Sequence, residues 1–413
     1  MDRCILLFWY QQRATPEVSE SHRTTTDLRK YISILALPLL LTVACQQESD
    51  PTGIGLLPDE DLVNALRYDT SNDSARISGR SYTLPITAAT SPSLSVGEAD
   101  GFSARALLRW QSLPNTIADS GRIVSARLRL YTQSYAIGDE SRTMNLELRE
   151  ITSYWSSFTF TSDSLVNLQT KPALVGSASV TLGDADSVDI AVDSTLIRTW
   201  FRMMKDERYF EIRGVQLTAT ASGVVRAFNS AEGSKPPKLE IVMDFNGTLD
   251  TIDGLLLEDT YVATGPSSVP AQRIILQGGA AARSHLFFDV DAIPPASVVN
   301  NVKLYLHIDR TLSTKFYRGQ DSLIVYETVD STTNTINTTP VVSRIDGDNP
   351  DVLIAEGVTL TRLVQQWVNR RGNKGLTLVK ISEISDLDRL VFYNADAEAA
   401  RRPRLLITYT SQP

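Results

Sequence analysis

The chain has 413 residues, with 40 Lys and Arg against 48 Asp and Glu and a formal net charge of −8, a balance that argues against a nucleic-acid partner. A hydrophobic content of 42% supports packed cores, and the length left after an export segment suggests two domains. The only cysteines are Cys4 and Cys45, so the chain after residue 45 has no thiol for a disulfide or a Cys-based metal site.

In chain order, a polar leader over Met1–Asp27 comes first, followed by Arg29 and Lys30 and an uncharged, mostly apolar run from Tyr31 to Ala44. The run is too short for the roughly eighteen residues that a spanning helix needs. Thr42, Val43 and Ala44 are small, and the order of basic, apolar and small residues is that of a secretory signal. Cys45 at the cleavage point makes it resemble a bacterial lipoprotein signal. The resemblance implies lipid on the Cys45 sulfur and Cys45 as the mature N-terminus. Thr42 departs from the leucine usual three places before that cysteine, although Leu41 stands one place further back. The other reading of the run is a short buried helix. The leader itself suggests a translation start nearer Leu28. Residues 1–44 are therefore set aside as leader and signal, and residues 45–67 read as a polar tether. Glu48 and Asp50 lie just behind the cysteine and resemble the acidic signal with which some Gram-negative lineages move lipoproteins to the cell surface; the alternative is a solvated linker.

Residues 68–245 read as strands. In "ALLRWQSLP" (Ala106–Pro114), Ala106, Leu108 and Trp110 alternate with Leu107, Arg109 and Gln111, which predicts a sheet with one buried face. "SARLRLY" places Ala126, Leu128 and Leu130 inward and Arg127 and Arg129 outward. An aromatic stretch follows at Tyr154, Trp155, Phe158 and Phe160. "DSTLIRTWF" then switches period: Asp193 or Ser194 caps, and Leu196, Ile197 and Trp200 recur at helical spacing, predicting one short helix.

Residues 246–413 repeat the pattern. "LFFDVDAIP" (Leu286–Pro294) answers "ALLRWQSLP", and "VVNNVKLYL" answers "IVSARLRLY". "RLVQQWV" answers "TLIRTWF", and "FYNADAEAARRPRLLITY" answers "AFNSAEGSKPPKLEIVM". Four matches in one order, at a period of around 170 residues, identify a tandem duplication of a whole domain. The turn-rich Asp244–Gly254 is the expected boundary. The expected fold is all-β, two tandem jelly-roll-type β-sandwiches with one short helix each. Trp110, Trp200 and Trp367 are expected in the cores.

These segments, with "ITSYWSSFTF", "KGLTL" and the Trp-bearing helices, follow the order of DNRLRE-type domains, which are secreted bacterial β-sandwiches. The resemblance covers Leu94–Tyr409, and its motifs are mostly core and turn positions that specify fold more than function. It implies a module that holds glycan on a sheet face or in end loops. The tether sequence "DPTGIGLLPDEDLV" resembles that of two-domain lipoproteins of Gram-negative bacteria. The second copy departs from the pattern: where the first has its aromatics, it has "TVDSTTNTINTTP".

No nucleophile elbow, zinc-protease motif or phosphate loop occurs. His285 and His307 read as solvated surface residues, and Asp289 with Asp291 as a solvated pair, so the expectation is a protein that is not an enzyme. No cofactor is expected. "DGDNPD" (Asp346–Asp351) and "DADSVD" (Asp184–Asp189) offer clustered oxygens of the kind a structural calcium takes, without the spacing of the helical calcium loop. Sugar binding needs an aromatic face for the C–H side of the ring, and Tyr154 and Trp155 are the candidate contacts, with a structural plug as the other reading of Trp155. Asp-Ser/Thr triplets at Asp73, Asp163, Asp186, Asp193, Asp250, Asp321 and Asp330 resemble O-glycosylation acceptors, and are equally ordinary turn and cap residues. The expected function is a lipid-anchored, outer-membrane protein facing the cell exterior, or else the periplasm. Its sandwiches would bind glycan or an envelope partner. The alternatives are a structural spacer in an envelope assembly or a polysaccharide-acting enzyme.

Overall fold

The computed structural model describes residues 65–113, 121–181, 185–265, 270, 272–314 and 322–411. The signal, Cys45, the acidic pair and nearly all of the tether lie outside the described residues. The described residues open with β1 (Ala65–Asp69) and β2 (Ile77–Thr83). The first copy follows with β3 (Ser93–Ala99), β4 (Phe102–Ser112), β5 (Gly121–Gly138), β6 (Thr143–Ile151), β7 (Thr170–Thr181) and β8 (Ser187–Val192). Helix α1 (Ser194–Lys205) comes next, then β9 (Val215–Thr218), β10 (Val224–Asn229), β11 (Lys238–Phe245) and β12 (Thr248–Thr264). The second copy has β13 (Arg273–Gln277), β14 (Ala282–Phe288), β15 (Val298–His307), β16 (Leu323–Asp330) and three two-residue strands, β17 (Thr335–Ile336), β18 (Val341–Val342) and β19 (Arg344–Ile345). It ends with β20 (Val352–Glu356), helix α2 (Val358–Val368), β21 (Leu376–Lys380), β22 (Arg389–Tyr393) and β23 (Arg404–Thr410).

The fold is all-β, with two jelly-roll-type β-sandwiches and one short helix in each. In the first, the strands run β10-β3-β4-β12-β11-β5-β8-β7-β6-β9, with β9 returning to β4 and β10 to β5. The eighteen-residue β5 and seventeen-residue β12 carry the chain from one face of the sandwich to the other. In the second, β1-β23-β15-β20-β19 faces a sheet built on β17-β16-β21-β14-β13-β22, and β2 pairs β14.

The alternation read from sequence sets these faces. Ala126, Leu128 and Leu130 are buried, as are Val302, Leu304 and Leu306 in the second copy. Arg127 and Arg129 point away from that core and pair with Asp189 and Glu240 on neighbouring strands. Asp193 caps α1 through Thr195 N at 2.8 Å, whereas α2 begins after Gly357 without a side-chain cap. Both helices bury their apolar stripe, and Trp110 meets Trp200 with ring centroids 5.9 Å apart.

The expected division at 245/246 is not where the sheets divide. Asn246 and Gly247 both have positive φ (52° and 91°) and turn the chain straight back, so β12 pairs β11 from Phe245↔Thr248 to Leu239↔Gly254. The same strand then runs on along β4, so residues 248–264 belong to the first sandwich. The corresponding place in the second sandwich is taken by the segment that precedes the first copy: β1 pairs β23, the counterpart of β11, and β2 pairs β14, the counterpart of β4. Strands preceding each repeat in sequence thus complete the other repeat in space. Asn64–Pro413 accordingly forms one compact unit.

A second link ties the copies. The turn after β21 carries Leu387, 0% exposed, into the core of the first sandwich beside Tyr261 and Ala263. Tyr261 Oη donates to Ile384 O at 2.8 Å, Tyr135 Oη donates to Asp388 Oδ1 at 3.0 Å, and Leu387 N donates to Tyr135 Oη at 2.8 Å. Burial, with Asp388 and Asp386 beside it, pushes the Tyr135 phenol far above its usual range, so it stays a neutral donor. Beneath the turn, Lys380 Nζ donates to both carboxylate oxygens of Asp386 at 2.7 Å.

Candidate functional site

The two residues singled out for sugar contact have opposite fates. The loop between β6 and β7 folds back over the outer face of β4, so Leu107, Ile151, Trp155, Phe160 and Val262 form a small second core. This corrects the expectation of one buried face for β4: Leu107, on the side read as outward, is fully buried. Trp155 is 2% exposed, and its Nε1 donates to Arg213 O at 2.8 Å. The Arg109 guanidinium lies 5.5 Å from its ring centroid, and Arg109 is itself ion-paired with Glu258. Trp155 is a plug packed into this small core, and it offers no open ring face to a sugar. Tyr154 is 71% exposed with Arg213 5.2 Å from its ring, and Phe158 is 73% exposed. The open depression beside Tyr154, which Ser156, Thr159, Ser164 and Asn167 also line, holds only about 170 Å³.

A roomier cleft lies elsewhere, where the copies meet. It holds about 560 Å³ and is lined by Thr132, Gln133, Ser134 and Tyr135 of β5, by Asn229 and the Glu232–Ser234 turn after β10, and by Ser385 and Asp386 of the second copy. Its polar groups fall into two sets. Gln133 Nε2 donates to Pro92 O at 2.8 Å and Asn229 Nδ2 to Tyr131 O at 3.2 Å, which holds the amides in place. Ser134, Glu232 and Ser385 line the cleft and carry no side-chain hydrogen bond among the described residues. Sequence reasoning missed this cleft because its walls come from both copies and its residues are ordinary turn types. Their one signal was the polar run "TQSY" interrupting the alternation of β5.

The turn forming one wall is fastened from below. Ala231 N donates to the Asp259 carboxylate at 2.8 Å, and Asp259 is only 3% exposed on β12. Burial, with Glu232 and Glu258 adding like charge, raises its pKa to about 7. The folded state therefore keeps a proton that the unfolded chain releases near pH 4, and Asp259 costs stability progressively as pH rises from about 4 to about 7. Asp259→Asn keeps an acceptor for Ala231 N without the charge. It is expected to stabilise the protein at pH 8 by a few kcal/mol and to flatten the decline between those pH values, read by denaturant unfolding at several pH values. A parallel decline in the variant would assign it to other groups.

Of the two described histidines, one is buried and the other is partly covered. His285 is 8% exposed, its Nε2 lies 2.7 Å from Lys374 O, and burial lowers its pKa. His307 is half-buried, and burial with Arg404 and Arg401 nearby lowers its pKa. Asp289 meets Arg76, and Asp291 meets Arg370. The acidic turns act as turns: Asp346 and Asn349 accept from Asp348 N and Asp351 N, Asp351 meets Arg310, and Asp189 is forked by Arg129. Asp184 lies outside the described residues. Among the described residues no three His, Cys, Asp or Glu side chains are grouped to hold a metal ion. Of the Asp-Ser/Thr triplets, Asp73, Asp193 and Asp330 cap or turn the backbone through Ala75 N, Thr195 N and Thr332 N, and Asp321 lies outside the described residues.

No family model matches the chain, and no curated protein does. Among solved structures, a Macrobrachium rosenbergii nodavirus structure covers 96% of this chain and 97% of its own at 10% identity and a TM-score of 0.16. The C-terminal domain of the Streptococcus pyogenes antigen I/II-family protein AspA covers 82% and 92% at 8% identity and 0.14. A chain titled BspA_C_WT covers 78% and 91% at 8% and 0.14. Likenesses this slight carry no argument about function.

Proposed function

We propose that the protein is a non-catalytic, lipid-anchored envelope protein of the DNRLRE type, held at the outer membrane through Cys45 with its body outside the cell, and that it binds glycan at the junction of its two sandwiches. The observation that carries the binding reading is the polar cleft of about 560 Å³ at that junction. Clefts between domains are common ligand sites. Fixed amides from Gln133 and Asn229 with unengaged groups on Ser134, Glu232 and Ser385 match the paired hydroxyls of a sugar, each of which both donates and accepts. The anchor rests on the signal-like run ending at Cys45, and the exterior location on Glu48 and Asp50 behind it.

Cys45→Ser is expected to shift the protein from membrane to soluble fractions, and the released protein to bind members of a glycan array. Glu232→Gln should weaken that binding roughly tenfold, the value of one hydrogen bond to a charged acceptor. Unchanged sedimentation of Cys45→Ser would sink the anchor. A blank array would sink the glycan reading and favour a structural spacer, for which the crossed strands and the buried Lys380–Asp386 pair are suited by their rigidity.

A further inference from the structure

We infer that Asn246, in the turn between β11 and β12, is a site of spontaneous deamidation to isoaspartate and aspartate, and that the Asp244 carboxylate holds this reaction back. The site belongs to a hairpin of the first sandwich and is independent of the reading given to the junction cleft.

Asn246–Gly247 is the one Asn-Gly pair in the 413 residues. The reaction begins when the backbone nitrogen of the following residue closes on the Asn side-chain carbonyl, and glycine has no Cβ to obstruct that approach. Both residues are exposed, with φ of 52° and 91°, the geometry of a tight two-residue hairpin turn. Beyond the chain neighbours, no heavy atom lies within 4 Å of where a Cβ on Gly247 would sit. The Asn246 side-chain amide has no hydrogen bond among the described residues. Electrophile and nucleophile are thus adjacent, open to water and uncovered.

The chemistry needs water alone. Solvent base takes the Gly247 amide proton, the nitrogen bonds to Asn246 Cγ, and the side-chain nitrogen leaves as ammonia, taking a proton from water. Water then opens the cyclic imide. Breaking the bond from the imide nitrogen to Cγ gives aspartate, and breaking its bond to the main-chain carbonyl carbon gives isoaspartate. In isoaspartate the backbone runs through Cβ, which lengthens the turn between Phe245 and Thr248, the register pair next to it.

Asp244 opposes the first step. Gly247 N donates to Asp244 Oδ1 at 2.7 Å, and Arg122 Nη2 meets Asp244 Oδ2 at 3.2 Å. These partners, Gly247 N foremost, hold the carboxyl below its usual range, so it stays charged at neutral pH. The charge-assisted hydrogen bond keeps the proton on the nitrogen. A nitrogen stripped of that proton would face the carboxylate as a second negative charge. The nucleophile is withheld while the hairpin is closed.

The test is mass spectrometry of the full-length chain after incubation in mildly alkaline buffer, both folded and in urea. The tryptic peptide covering residues 239–273 is read for exchange of amide for acid and for isoaspartate. Conversion at Asn246 is expected in the folded wild type, and faster conversion in urea. Asp244→Ala should speed the folded chain about tenfold, the worth of one hydrogen bond to a charged group. Asp244→Asn should fall between, because its amide oxygen still accepts from Gly247 N without the charge. Arg122→Ala cuts a neighbouring contact of β11 without touching Gly247 N, and should change the rate by less than about twofold. No conversion in the folded wild type and folded Asp244→Ala alike, over a period in which the unfolded chain converts, would overturn the site. An unchanged rate in Asp244→Ala, or equal acceleration by Asp244→Ala, Asp244→Asn and Arg122→Ala, would overturn the role of the Asp244 carboxylate.

Discussion

Deleting Ala65–Thr83 is expected to abolish cooperative folding of the second sandwich while the first still unfolds as a unit. The segment makes five register pairs with β23 and seven with β14, and it buries Ile77 in the second core. At a net value of about 1 kcal/mol per ladder hydrogen bond, its loss is comparable with the roughly 5–15 kcal/mol that holds a whole domain. The first sandwich keeps β12 and its complete ring of strands, losing only the Leu387 plug. Two thermal transitions, assigned by limited proteolysis, measure this. Cutting at Asp250 should damage both sandwiches, because the cut falls within β12 and also separates β1 and β2 from their partners. A permuted fragment that places residues 65–83 after residue 413 should restore the second transition. If residues 273–411 fold cooperatively without 65–83, the crossed strands are dispensable and the copies are independent modules.

Lys380→Ala is expected to destabilise the protein by about 3–5 kcal/mol, the usual cost of stranding one member of a buried ion pair. Lys380 is 2% exposed and Asp386 8%, and Asp386 also accepts from Asp388 N at 3.0 Å. Losing the ammonium leaves a buried carboxylate held only by the Ser382 hydroxyl and Asp388 N, in a turn whose next residue, Leu387, sits in the other sandwich's core. The double change Lys380→Met with Asp386→Leu removes both charges and should recover much of the loss, so that a double-mutant cycle in denaturant yields a coupling of several kcal/mol. A single-mutant cost below about 1 kcal/mol, the range of exposed pairs, would show that water reaches the pair.

The period-two alternation of Leu128, Leu130, Val302 and Leu304 was legible because a half-buried strand must alternate whatever its partner. The helical spacing of Trp200 and Trp367 was legible for the same kind of reason. The duplication, too, could be read directly, since matched segments need only be laid side by side. Burial of Leu107 could not, because the cover comes from Trp155 and Phe160, some fifty residues further along and unrelated to Leu107 by any periodicity. Nor could the fate of Trp155 itself: an aromatic in a polar loop reads the same whether its face meets solvent or a neighbouring sheet.

Strand composition, inward faces, both helices and the signal-like start were set by the sequence alone, since each depends on residues within a few positions of one another. Which strand completes which sandwich was decided only in the tertiary structure. β1, β2 and β12 carry compatible edges, and the hairpin at Asn246–Gly247 commits β12 to its immediate neighbour β11, so the second sandwich is closed by the sequence-distant residues 65–83. The junction cleft and the Leu387 plug bring together residues of the two copies that no local pattern connects.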